Sequence, residues 1–199
     1  MKKIILSIIT VIIAVIGLTN LTYAATVNNA ATTTLTDINN INKIEVRGNV
    51  TLYISDATTD VVKVYNKYYS ESALVQTKNG VLNIASYGAE KLVVWVSAND
   101  LRSVSAYDNA EIKSFGNISK IEFNVDLHDN ASANLNMDAF SANVSVSDHA
   151  KADLSGSANQ YYLSRNYGAS VNSFNFSAVH FTEKKINFPA ETAEDMVGI

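Results

Sequence analysis

The chain has 199 residues, with 15 Lys and Arg against 19 Asp and Glu, no cysteine and a single proline. The small acidic excess and the lack of a basic cluster argue against a nucleic-acid partner, which would need positive charge to face the phosphate backbone. The absence of cysteine excludes disulfides, cysteine-ligated metals and lipid attachment through a cysteine.

The first 24 residues have the features of a secretory signal peptide. Lys2 begins a short basic region, an apolar run covers residues 4–18, and Ala24 completes a cleavage site of small residues. A retained membrane anchor would need about twenty apolar residues, whereas the polar Thr19 ends this run sooner. We therefore expect residues 1–24 to be removed and the protein to be exported to the periplasm, the cell surface or the medium.

The segment 25–37 is small, polar and without periodicity, which is typical of a spacer or a loosely held first strand. From Ile41 onward apolar and polar residues alternate, as in "IEVRGNVTLYI" and "DVVKVYNKYY". A period of two residues indicates half-buried strands, and Asn79–Gly80 is a strong hairpin signal. The pattern predicts an all-β domain over residues 38–188, followed by a C-terminal tail over 189–199.

A motif made of an acidic or amide residue, a polar residue and a small residue occurs four times. Its first two positions are Asp108–Asn109, Asp129–Asn130, Asp148–His149 and Asn166–Tyr167, at spacings of 21, 19 and 18 residues. A period near twenty residues is the signature of units that stack and share one core. We predict a single-stranded, right-handed β-helix-like solenoid of roughly 20-residue coils, preceded by hairpin-rich strands. A β-sandwich is the alternative, although it would usually show bulkier inward residues and no register between units.

The repeated aspartates are interpreted as turn formers. An Asp or Asn side chain can accept a hydrogen bond from a backbone N–H two residues further on, which satisfies a donor at a corner. Stacked coils would also bring Asp108, Asp129 and Asp148 together as like charges, a repulsion that calcium could relieve. Calcium requires about six to eight oxygen ligands, more than these corners assure, so we do not expect calcium here. Because the sequence has no cysteine, no histidine pair at ligand spacing and no glycine-rich phosphate loop, we predict no other metal and no cofactor.

Catalysis is not expected. The three histidines, His128, His149 and His180, accompany no nucleophile motif such as G-x-S-x-G. A histidine beside an aspartate at a predicted turn is more typical of a hydrated surface than of a catalytic dyad. A polysaccharide-processing enzyme is the weakest alternative, because it would rest on analogy of fold alone.

Tyrosines provide the better candidates for a binding surface. Of the ten in the chain, two groups lie close together in sequence: Tyr65, Tyr68 and Tyr69, and Tyr161, Tyr162 and Tyr167. Exposed rings can stack on sugars or pack against a protein, although tyrosine also commonly covers the faces of strands. Trp95, within "LVVWV", is interpreted as a core residue or as a cap at the end of the solenoid.

The phrases "INKIEVRGNVTLYI", "VQTKNGVLNI" and "LVVWVSANDLRSVSA" resemble the family called putative auto-transporter adhesin, head GIN domain, over about residues 38–181. The resemblance implies a β-helix-like fold in an exported protein of the bacterial envelope. Two features differ from the family pattern. Aspartates stand where the family usually has glycine at the repeated turns, and "INFPAETAEDMVGI" replaces the usual closing phrase.

These observations predict an exported, non-catalytic, adhesin-like module that binds a glycan or a protein in the cell envelope. A structural unit that assembles with itself is the alternative. The expected partners are a glycan or an envelope or host protein, with no nucleic acid and no membrane span after signal cleavage. The protein itself is expected to be a monomer or a weak oligomer.

Overall fold

A computed structural model of the chain describes residues 32–35, 38–65 and 73–186. All regular structure in these ranges is β, so the prediction of an all-β chain is confirmed. The strands are β1 (Thr32–Leu35), β2 (Lys43–Gly48), β3 (Val50–Asp56), β4 (Val61–Tyr65), β5 (Ala73–Lys78), β6 (Val81–Ser86), β7 (Leu92–Ala98), β8 (Ser103–Ala106), β9 (Glu111–Ser114), β10 (Ile118–Leu127), β11 (Ser132–Val146), β12 (Lys151–Arg165) and β13 (Ser170–Lys185). None of the described ranges contains a helix that could cross a membrane.

Several predicted segments lie partly or wholly outside these ranges. The predicted signal peptide over 1–24 and the tail over 189–199 are outside the described residues, as is most of the predicted spacer. Four residues of that spacer form β1, which pairs with β4 at one edge of the sheet.

The strands form one curled, mixed sheet. Its order is β1-β4-β7-β3-β9-β11-β10-β8-β2-β6-β5, with β12 added to β11 and β13 added to β12. All pairings are parallel except β1 with β4, β4 with β7 and β5 with β6. The long strand β11 pairs with β9 through Ser132–Asn134 and with β10 from Met137 to Val146, so two strands follow one another along the same side of β11. A β-helix solenoid is not confirmed, because the strands belong to a single sheet that includes antiparallel pairs.

Residues that the sequence motif aligns are direct neighbours in the parallel pairings. Val104 pairs with Val125, and Val125 pairs with Val144. Leu135 pairs with Leu154 in the same way on the following segment. Because side chains alternate between the two faces of a strand, this register places like residues above one another on the inner face.

The core consists of the inward positions of these alternating strands. In β7, Leu92, Val94, Val96 and Ala98 are fully buried while the residues between them are partly exposed. Ala110, Ala131 and Ala150, the small residues of the repeated motif, are also completely buried. Each lies where the chain turns inward after a corner, so a larger side chain there would collide with the packed interior. The alanines of the motif therefore serve packing.

The fourth motif is shifted by one residue from its predicted alignment. Ser170 pairs with Lys151, so Tyr167 rather than Asn166 is in register with Asp148. The physical reason is a different way of closing the corner. The Asn166 side-chain oxygen accepts the backbone N–H of Ala169 at 3.0 Å, a role that backbone carbonyls have at the other corners.

Candidate functional site

The three repeated aspartates form a ladder of hydrogen bonds along one corner of the sheet. Asp148 Oδ2 accepts the backbone N–H of Asp129 at 3.0 Å, and Asp129 Oδ2 accepts that of Asp108 at 2.9 Å. Asp108 Oδ2 continues the series by accepting the N–H of Gly48 at 3.1 Å. Each bond joins adjacent units, so the predicted bond to a residue two positions further along the same turn is corrected. The backbone N–H donors offset the electrostatic repulsion between the neighbouring carboxylates.

The backbone of each corner explains why aspartate is present. Asp108, Asp129 and Asp148 have φ angles of 59°, 56° and 59°, in the left-handed region that Asn, Asp and Gly tolerate best. Each turn is closed by a backbone bond across four residues, such as Ala131 N–H to the His128 carbonyl at 3.0 Å. The side chains of Asn109, Asn130 and His149 are exposed. The corner is therefore a structural feature, as the interpretation of its aspartates as turn formers requires.

A serine, a histidine and an aspartate are hydrogen-bonded beside this corner. Ser147 Oγ lies 2.9 Å from His128 Nδ1, and His128 Nε2 lies 2.9 Å from Asp126 Oδ2. Ser147 Oγ is also 3.2 Å from Asp148 Oδ2 and from the Leu127 carbonyl. These bonds connect the hydroxyl to groups of its own corner and of the neighbouring unit. The arrangement ties neighbouring units together.

Three aromatic rings form a cluster on the outer face of the sheet, which we call the Trp95 platform: Tyr53, Trp95 and Phe115. Tyr53 and Trp95 are opposite each other in β3 and β7, with their rings stacked at a centroid distance of 5.3 Å. Phe115 meets Trp95 edge-on at 4.7 Å and is 62% exposed. Tyr53 and Trp95 are partly exposed. The three rings thus present a joined aromatic surface to solvent.

The alternation of β7 accounts for the outward position of Trp95. Val94 and Val96 are fully buried on either side of it, so the indole must project from the opposite face. The interpretation of Trp95 as a core or cap residue is therefore corrected. The run "LVVWV" hides this alternation because both faces carry apolar residues. Tyr53 and Phe115 come from distant segments, and only the strand pairing brings them to the indole.

Charged and polar groups surround the Trp95 platform. Lys63 on β4 is paired with Trp95, and the Lys113 ammonium lies 5.9 Å from the centre of the Tyr53 ring. Glu111 accepts from Lys113 at 2.7 Å and from Lys91 at 3.4 Å. The hydrogen bond with Lys113 lowers the pKa of Glu111 and raises the pKa of Lys113. An aromatic centre with a polar rim of both charges can stack on a ring and also hydrogen-bond to hydroxyl groups.

The predicted tyrosine surface is divided by the structure. Tyr162 and Tyr167 are 44% and 81% exposed, whereas Tyr161 is 2% exposed. Tyr65 is half-buried at the end of β4, and Tyr68 and Tyr69 lie outside the described residues. Tyr161 and Tyr162 are consecutive in β12, so they must point to opposite faces. Tyr161 is therefore corrected from a ligand-surface residue to a core residue.

Tyr161 has an unusual environment for a phenol. Its ring centroid lies 5.0 Å from those of Phe176 and Phe181. Its hydroxyl is buried and has no hydrogen-bond partner within the described part of the chain. Burial raises its pKa from 10.0 to about 12.

We expect Tyr161→Phe to be neutral to stabilising, by about 1 kcal/mol, because it removes a buried hydroxyl without opening a cavity. Folding raises the pKa of Tyr161, so the unfolded chain loses this proton more readily than the folded protein does. The resulting contribution to the free energy of unfolding does not change below pH 10, and it is lost as the pH rises from 10 to about 12. Urea unfolding of both proteins from pH 8 to 12 measures this. The stability of the wild type should fall more steeply above pH 10, and parallel curves would contradict the assignment.

The comparisons with known proteins agree with this architecture. The model of the family "Putative auto-transporter adhesin, head GIN domain" matches residues 40–185. No curated protein sequence matches the chain.

Solved structures with the same fold have low sequence identity. A "putative adhesin" from Parabacteroides merdae ATCC 43184 has a TM-score of 0.65 at 16% identity, covering 78% of this chain and 77% of its own. One from Bacteroides fragilis NCTC 9343 has a TM-score of 0.66 at 12% identity, covering 77% and 76%. A "Putative lipid binding protein" from Parabacteroides distasonis ATCC 8503 has a TM-score of 0.61 at 8% identity, covering 77% of each chain. With its family match extending over most of the described sheet, the chain belongs to the putative auto-transporter adhesin, head GIN domain family.

Proposed function

We propose that this domain is an exported, non-catalytic, adhesin-like module that binds a glycan or a protein in the bacterial cell envelope through the Trp95 platform. The observation that carries the proposal is the stacking of Tyr53, Trp95 and Phe115 on the outer face of the sheet. Membership of an adhesin family supports the adhesin-like role. The export part of the proposal rests on the signal-like sequence of residues 1–24.

The chemistry of the platform suits a sugar or a protein side chain. Aromatic rings offer a large contact area at low entropic cost, and they are enriched where binding energy is concentrated. The buried core does not account for these rings, because Phe115 is mostly exposed and Trp95 projects outward. Glu111 offsets only one of the three lysines around the platform, Lys63, Lys91 and Lys113, so the rim keeps a net positive charge that also suits an acidic group on a ligand.

We further propose that the parallel units act as the coils of a right-handed β-helix-like solenoid. The register of Val104, Val125 and Val144 supports this description of the stack. In such a stack the outward residues of successive units form ladders. The long outer surface would then display the platform on a rigid scaffold.

The test is a binding screen of the purified protein on an array of bacterial and host glycans, followed by immobilised envelope proteins. Trp95→Ala is expected to weaken the strongest interaction by about ten-fold, equivalent to about 1.4 kcal/mol. Tyr167→Ala, which removes a ring that is 81% exposed on the fourth corner, is the matched control and should bind like the wild type. Equal binding by wild type and Trp95→Ala, or a loss confined to Tyr167→Ala, would place the site elsewhere.

A further inference from the structure

The last strand of the sheet leaves a long edge open. β13 has 16 residues and pairs with β12 along one side. Within residues 32–35, 38–65 and 73–186, no strand pairs with its other side. An unpaired edge presents a row of backbone donors and acceptors to any strand that can align with it.

The apolar core is also open at this end. Phe181 is in register with the buried Tyr161, which places it on the inner face, yet it is 54% exposed. Val179 and Phe174 on the same strand are 69% and 92% exposed. Stacked β-units normally need a terminal cap that covers such residues.

The usual protections of an edge strand are sparse along β13. Edge strands in natural proteins often carry charged residues or proline, which prevent another strand from pairing with them. Here the Lys and Glu residues lie only at the end, in Glu183, Lys184 and Lys185, and the strand contains no proline. One irregularity in register falls near the beginning, opposite Asp153 and Ser155, and leaves the later part of the strand regular. The edge is therefore able to pair from about Asn175 onward.

The length of the edge selects its partner. At the opposite end of the sheet the outer strands within the described ranges are β1, with four residues, and β5, with six. Neither can match the regular part of β13 from Asn175 to Lys185, whereas the same part of a second β13 has equal length. We propose that two copies of the chain pair through β13, antiparallel, about a two-fold axis near Val179.

The proposed axis divides the regular part of β13. Ser170–Asn172 continues through β12 and β11 to β9, and the strand from Phe176 onward continues in the same way to β10. A two-fold axis near Val179 pairs the residues on one side of Val179 with those on the other side in the second copy, in opposite directions. Lys184 and Lys185 then face the uncharged beginning of the second β13. A pairing in the parallel sense would set these lysines against each other.

Exposed apolar residues lie in the column that leads to the proposed axis. Ile121 of β10, Phe140 of β11 and Val179 of β13 are 83%, 56% and 69% exposed, and Asn159 of β12 separates Phe140 from Val179. In the dimer, the columns of the two copies join across the axis. This interaction would be independent of ligand binding at the Trp95 platform.

The absence of cysteine from the chain allows a direct test by single-cysteine crosslinking. Val179→Cys places two thiols next to the axis, about one strand spacing of ~4.8 Å apart. Phe140→Cys is the matched control, since it lies in the same column but two strands away from the edge. Five strand spacings, roughly 24 Å, would separate its thiol from that of the second copy. We expect mild oxidation to give a covalent dimer with Val179→Cys and none with Phe140→Cys, and equal crosslinking would overturn the proposal.

Light scattering after size-exclusion chromatography gives a second test. The wild type should have twice the mass of one chain, Val179→Lys should lose the dimer because it sets two like charges at the axis, and Phe140→Lys should keep it. A chain ending at Ile186 should remain dimeric. A monomeric wild type, or one that dimerises only after removal of residues 187–199, would show that another segment covers the edge. Assemblies that grow beyond two copies would show a head-to-tail contact instead, and would equally overturn the two-fold arrangement.

Discussion

Gly156→Ala is expected to destabilise the domain by about 3 kcal/mol or more, the largest effect of any substitution considered for this chain. Gly156 lies within β12 and has a φ angle of 105°, a backbone conformation that residues other than glycine rarely adopt. A β-carbon at this position would also overlap the backbone carbonyl oxygen of Met137. Met137 is the direct partner of Gly156 in β11, and β11 is held on both sides by other strands. The clash therefore cannot be relieved by moving a flexible side chain.

Gly116→Ala separates the two causes of this effect. Gly116 has a φ of 80°, but a β-carbon there would meet no atom within 4 Å. Its substitution should cost only the conformational strain, about 1 kcal/mol. Urea unfolding of the two variants and the wild type measures the difference. Equal losses at the two positions would mean that the Met137 contact is unimportant and that strain alone sets the cost.

Substitutions of Asp129 are expected to separate its hydrogen bond from its charge. Asp129→Ala should lose about 2 kcal/mol, because it removes the acceptor of the Asp108 N–H and leaves a residue at a φ of 56° without a favourable side chain. Asp129→Asn should be neutral or slightly stabilising, since its side-chain oxygen can keep the bond while one of three neighbouring charges is removed. Asp129→Gly should fall between them, because it tolerates the backbone angle but loses the bond.

Melting temperatures of the wild type and these three variants, with and without millimolar calcium, distinguish a hydrogen-bonded corner from a calcium-bound one. The ladder requires the order Asn, Gly, Ala from most to least stable, with little influence of calcium. A melting temperature that calcium raises by several degrees in the wild type, but not in Asp129→Asn, would show a metal-bound corner instead.

Features that depend on neighbouring residues were predictable from the sequence. The period of two residues in "IEVRGNVTLYI" predicts strands because alternation is a local consequence of the pleat. The motif at Asp108, Asp129 and Asp148 similarly predicts corners, since aspartate tolerates the backbone angle that a corner requires. The spacing of these residues also matches the spacing of the parallel pairs.

Features that depend on register between distant strands were not predictable. The acceptor of each corner N–H lies in the next unit, about twenty residues away, so inspection of one turn suggests the wrong donor. The Trp95 platform requires Tyr53 and Phe115 to meet an indole from another segment. Alternation could have separated Tyr161 from Tyr162, but it could not show which of the two is buried. The shift at Asn166 follows from a side-chain bond that the sequence motif does not encode.

Tryptophan fluorescence tests the proposed binding site most directly, because Trp95 is the only tryptophan in the chain. The purified protein is titrated with each glycan or envelope protein that binds in the screen, and both the emission spectrum and the quenching by acrylamide are recorded. Binding at the Trp95 platform predicts a shift of emission and a loss of acrylamide quenching that saturate at the same concentrations as binding itself. Saturable binding with an unchanged emission spectrum and unchanged quenching would contradict the proposal that this platform is the site.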